Sequence, residues 1–122
     1  MNRDIGDILD RYSIAKLKFE RIKRAENRKE FKAFELGFIK SVNKYPKICV
    51  KEFAKLLYDI NAMIWDLEFD LRKGKLDGAL TEVGIRAIKI REHNRLRVEV
   101  KNIINLLTRE GFQDVKQDHV SE

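Results

Sequence analysis

Apolar residues recur along this chain at alternating steps of three and four, the period of a helix buried along one side. The most regular run lies mid-chain, where Val50, Phe53, Leu57, Ile60, Ile64, Leu67 and Leu71 follow one another without a miss. It predicts a helix ending at the turn from Lys73 to Gly78, with Gly74 as its C-terminal cap. Ile5, Ile8, Tyr12, Ala15, Phe19 and Ile22 predict an earlier helix from about Asp4 to Ala25, its first amides capped by Asp4 or Asn2. Phe31, Phe34, Phe38 and Val42 predict another between Arg28 and Val42. The break at Asn43–Lys47 follows from Pro46, which lacks an amide donor and pushes Tyr45 out of the helical region.

A fourth helix is expected from near Asp77 to about Arg109, stopping at Gly111. Its seam starts apolar, with Leu80, Val83, Ala87 and Ile90, then reaches Asn94, Arg97 and Lys101 before returning to Ile104. Leu96, Val100, Ile103 and Leu107 form a neighbouring apolar stripe in that second half. Either the core face rotates there or the protein buries polar groups. Short turns between long helices favour antiparallel neighbours. The expected fold is therefore all-α, an antiparallel up-and-down bundle of about four helices in which helices 3 and 4 form a long hairpin. Those two helices, at roughly 25 to 30 residues, each span about 40 Å and outreach the first two. Part of the hairpin is left uncovered within one chain, so self-association is expected.

Composition agrees with helices. One proline and six glycines leave few forced turns, against an all-β chain. The 122 residues suit one domain, read as a helical bundle at 1–110 and a short polar tail at 111–122 in which a single strand is an option. An apolar share of 43% supports a core, and 38% charged residues fit because only one stripe of each helix must be buried. Twenty-six Lys and Arg against twenty Asp and Glu give a net charge of +6, which suits a polyanionic partner. Cys49 stands alone, so neither an intrachain disulfide nor a cysteine cluster for zinc is available. No apolar run approaches the roughly 20 residues that span a bilayer, and the N-terminus lacks the apolar core of a secretion signal. A cytoplasmic location is expected.

The candidate chemistry lies in two polar stripes. Asn61, Trp65, Glu68 and Arg72 share one edge of the third helix, and Asn94, Arg97, Lys101 and Asn105 share one edge of the fourth. Antiparallel folding brings the first stripe toward Arg86 and Arg91, as a Trp-walled pocket for an anionic or sugar-like ligand or as a buried network that sets helix register. Arg97 keeps its proton, so burying it demands an acid, for which Asp7, Asp10 and Glu20 are the candidates. Asp59, Asp66 and Asp70 share a side but face no second acidic cluster, and His93 and His119 have no ligand-like neighbours, so no metal and no cofactor are expected. Ser13, Ser41 and Ser121 lack an adjacent base, and no catalytic residue is assigned. The run Lys16, Arg21, Lys23, Arg24, Arg28 and Lys29 is either a solvated basic face or a track for a phosphate backbone.

Three blocks carry a resemblance. The segment from Ile5 to Ile14 (Gly6, Asp7, Asp10, Arg11, Ser13 within it) with Lys18, Glu20, Arg21 and Ile22 resembles the opening helix of a family of small uncharacterised helical proteins of bacteria and phages. Ile60, Asn61, Trp65, Glu68 and Arg72 are similar to its second block, and Asn94, Arg97, Lys101, Ile104 and Asn105 to its third. The resemblance covers about three-quarters of the chain and implies a domain of unknown function, in bacteria sometimes found among surface-polysaccharide or glycosyltransferase proteins. It also implies that the two polar stripes belong together, and a phage member would work in the host cytoplasm.

These readings converge on a non-catalytic, self-associating helical binder holding a protein or a small anionic ligand at Asn61, Trp65, Glu68, Arg72, Arg91, Asn94, Arg97 and Lys101. The alternatives are an enzyme acting on a phosphorylated sugar or nucleotide with Glu68 as acid or base, and a nucleic-acid binder using the basic 16–32 face.

Overall fold

Asp4 starts the first helix by accepting the Asp7 amide at 2.8 Å, one of the donors that a helix N-terminus leaves unpaired. The computed structural model describes residues 3–74 and 78–109, and within them four helices: α1 (Ile5–Ile22), α2 (Ala25–Lys44), α3 (Val50–Arg72) and α4 (Leu80–Thr108). The chain leaves α1 at Lys23, which takes the left-handed conformation at φ 58° and bonds its amide to the Phe19 carbonyl. This turn corrects the expectation of a helix running to Ala25. The chain reverses within two residues, and α2 starts earlier and ends later than the phenylalanine rhythm suggested. The break at Pro46 and the start of α3 fall where expected. The fourth helix starts at Leu80 rather than near Asp77, since Gly78 and Ala79 precede it outside the helix, and it ends at Thr108, close to the expected Arg109; Asp77, Gly111 and the polar tail themselves lie outside the described residues.

The four helices pack as a bundle in which α3 and α4 form the expected hairpin, but the layers are unequal. α1 touches all three other helices, whereas α2 packs on α1 and barely meets α3. The main core therefore sits between α1, α3 and α4, from Ile5 and Leu9 through Val50, Leu57, Ile60 and Ile64 to Val100 and Ile104. α2 is an outer layer: of its residues only Ser41 is fully buried. It is held by aromatic stacking, with Tyr12 against Phe38 at 4.3 Å and Phe19 against Phe31 at 5.8 Å between ring centres.

The face of α1 expected to be its core seam divides accordingly. Tyr12 and Phe19 point to α2, and Ile22 is exposed. The most deeply buried line of α1 is Gly6, Leu9, Asp10, Ser13 and Leu17. Among the described residues no helix is long and apolar enough to cross a membrane.

Candidate functional site

Asp10, 3% exposed, is the centre of the polar interior. A buried carboxylate needs hydrogen bonds and opposite charge, and three helices supply them. Asn61 of α3 donates its Nδ2 to Asp10 Oδ1 at 3.0 Å and to Ser13 Oγ at 2.9 Å. Ser13 in turn donates to the Asp10 carbonyl at 2.7 Å, one turn back in α1. From α4, Arg97 Nε lies 3.5 Å and Lys101 Nζ 3.6 Å from Asp10 Oδ2. Lys101 also reaches Asp7 Oδ1 at 3.7 Å. The two predicted stripes thus meet, but through α1 rather than directly across the hairpin.

One turn below, α1 and α4 come into backbone contact. Gly6 donates its amide to Asn105 Oδ1 at 2.8 Å, so a side chain of α4 caps a second free donor at the start of α1. Only glycine permits this approach: a Cβ on Gly6 would sit 2.6 Å from the Lys101 carbonyl oxygen and 3.0 Å from Asn105. Asp7, on the rim, accepts from Arg3 and Arg11, each at 3.0 Å. Partial burial raises the Asp7 pKa, but the hydrogen bonds from Arg3 and Arg11 and the charges of Arg11 and Lys101 outweigh it and hold the carboxyl below its usual value.

Donor capacity exceeds acceptor capacity here. Arg3, Arg11, Arg97 and Lys101 converge on only two carboxylates, Asp7 and Asp10. Arg97 Nε and Asn105 Nδ2 are buried without a hydrogen-bond acceptor. The Arg97 side chain is 30% exposed, and its Nη1 has only a long 3.4 Å contact with Asn94 Oδ1.

The remaining predicted residues are distributed differently. Glu68 lies seven residues beyond Asn61 on the same face of α3, about 10 Å farther along the helix at 1.5 Å per residue. It is half-buried and has no ion pair or hydrogen bond among the described residues. Trp65 is half-buried between two guanidinium groups, Arg21 at 5.7 Å and Arg72 at 5.9 Å from its ring centre. Arg72 and Arg91 are exposed. The expectation that Arg86 or Arg91 meets Glu68 or Asn61 is not met: Arg86 pairs with Glu82 at 3.1 Å and Asp70 at 3.6 Å, both nearer its own turn of the hairpin. Asp66 pairs with Arg21, and Asp59 with Lys55 at 3.0 Å, so the acidic side of α3 is spent on separate ion pairs. Among the described residues no group of three or more potential ligands could hold a metal ion.

On the basic 16–32 face, Lys18 lies 3.8 Å from Glu30, Arg24 lies 4.0 Å from Glu26, and Lys16 sits over the Tyr58 ring. Lys23, Arg28 and Lys29 are exposed. Sequence reasoning did not single out a cleft of about 300 Å³ between α1, α2 and α3, bordered by Tyr12, Lys16, Phe38, Lys51 and Tyr58. The cleft lies where α2 and α3 barely meet, an arrangement no local pattern encodes. The role of Gly6, Asp10 and Ser13 did leave a signal, since their steps of four and three put them on one helical face. Comparison with family models, curated proteins and solved structures returns no match to this chain.

Proposed function

We propose that the protein is a non-catalytic binder of a small anionic ligand, held along the polar track that runs from Lys101 and Arg97 toward Glu68. The observation that carries this reading is the spare donor capacity of Arg97: its buried Nε faces Asp10 at 3.5 Å, while the side chain is 30% exposed and Nη1 has only a 3.4 Å contact with Asn94. A phosphate or carboxylate supplies acceptors in the planar geometry that Arg favours. Glu68, without an ion pair or hydrogen bond among the described residues and about 10 Å beyond Asn61 along α3, would accept from a ligand hydroxyl. The ligand class that matches both ends is a small molecule with an anionic group at one end and hydroxyls at the other, such as a sugar phosphate or a mononucleotide.

Titration calorimetry with a panel of sugar phosphates, nucleotides and inorganic pyrophosphate tests this. Micromolar binding to a member of the panel is expected, lost in Arg97→Met and weakened in Glu68→Gln, with the circular dichroism of both variants unchanged. Binding indifferent to both substitutions, or absent across the panel, defeats the reading.

A second reading rests on Glu68. A half-buried carboxylate without an ion pair or hydrogen bond among the described residues is free to meet a substrate hydroxyl. Turnover of a panel member by the wild-type protein, abolished in Glu68→Gln, would make the protein an enzyme instead.

A further inference from the structure

More than half of the large apolar side chains exposed among the described residues belong to one helix, α4. Isolated exposed leucines need no explanation, but a contiguous apolar face marks an interaction surface. On α4 this face is ordered. Ile88, Arg95, Glu99 and Leu106 are separated by seven, four and seven residues, so they lie along one outward line of the helix. Ile88 is 48% and Leu106 43% exposed, and Arg95 and Glu99 are exposed as well. Leu96 and Ile103 flank the line on one side and are 44% and 47% exposed.

The order of this line is its own mirror image. A two-fold axis crossing α4 at the level of residue 97 sets Ile88 against Leu106 of a second, antiparallel copy and Arg95 against its Glu99, then repeats both pairings in the opposite sense. Such self-complementarity is what an isologous interface requires. Arg95 and Glu99 stand four apart, a spacing at which they can pair within their own helix, yet neither has an ion pair among the described residues. We propose that the outer face of α4 docks a second copy of this chain, antiparallel about an axis near residue 97, with apolar contacts at the ends and two Arg95–Glu99 ion pairs at the centre.

The test is sedimentation velocity on the full chain, together with charge swapping. Wild-type protein at about 100 μM, well above a micromolar dissociation constant, is expected to be a dimer. Leu106→Glu should be monomeric yet keep the circular dichroism of the wild type, because Leu106 lies outside the core, and its thermal midpoint should lose the concentration dependence that the dimer gives the wild type. Arg95→Glu and Glu99→Arg should each weaken the dimer by about tenfold or more, since each faces like charges with like across the axis. Mixed in equal amounts, those two variants restore both ion pairs, and the mixed dimer should be tighter than either variant alone. A wild-type monomer at this concentration would leave the face to some other partner and would overturn the proposal. So would a dimer indifferent to the charge changes, or a mixture no tighter than its components. Ligand binding at Arg97 is read separately and does not enter this outcome.

Discussion

The two long faces of α4 do not divide into apolar inside and polar outside. Its inner face carries Arg97, Lys101 and Asn105 into contact with Asp10, Asp7 and Gly6, whereas its outer face exposes Ile88, Ile103 and Leu106. α3 behaves conventionally, with Leu57, Ile60 and Ile64 buried and Lys55 and Asp59 outside. The contrast shows that helix burial here is decided by what α1 presents. α1 shares its aliphatic core and Asp10 between α3 and α4, but brings Asp7 and Gly6 to α4 alone. Only a cationic, amide-bearing stripe can meet that surface without leaving a buried charge unpaired. Val100 and Ile104 stay in the core, while Ile88, Ile103 and Leu106 face outward.

If Asp10 dictates the polarity of α4, removing it should have the largest effect. Asp10→Ala leaves Arg97 without its carboxylate and takes one of two acceptors from Lys101 and from Asn61, and unfolding in urea should show a loss of about 3 to 5 kcal/mol. Gly6→Ala comes next: the new Cβ meets backbone rather than a flexible side chain, so α1 and α4 must separate and the bond to Asn105 stretches. A loss of about 1 to 3 kcal/mol is expected, with accelerated exchange of the Gly6 amide as the local readout. Were the loss only that of an exposed helix position, the close approach of the two helices would be refuted.

Acid should sharpen the comparison further. The Asp7 pKa is lower in the folded protein than in the unfolded chain, so its contribution is fully present above the unfolded value and is lost as pH falls through the folded one. The stability of Asp7→Asn should therefore depend less steeply on pH below about 4 than that of the wild type. The smallest effect belongs to the outer face. Ile103→Ser should shift the unfolding free energy of the monomer by no more than about 0.5 kcal/mol. A large loss would show that the face belongs to the core after all.

Much of this was legible from residue order. The rhythm of α3 survives intact, Pro46 ends α2 near the expected place, Asp4 caps α1, and Asp10 was among the three acids proposed for Arg97. The inner face of α1 was harder to read because Gly6, Asp10 and Ser13 do not resemble a core seam, although they share its period. The aromatic residues Tyr12 and Phe19 drew attention to the opposite side, where they bury against α2.

Local order along the chain was enough to determine the helices, their breaks and the hairpin, because hydrophobic period, capping and proline act over one or two turns. It also marked the two polar stripes as unusual. Tertiary structure alone decided that the stripes meet at Asp10, that α2 stands outside the main core, and that Ile88, Ile103 and Leu106 of α4 face solvent. Each of those outcomes depends on which helix lies beside which, and a backbone approach such as that of Gly6 to Lys101 has no counterpart in the spacing of either helix.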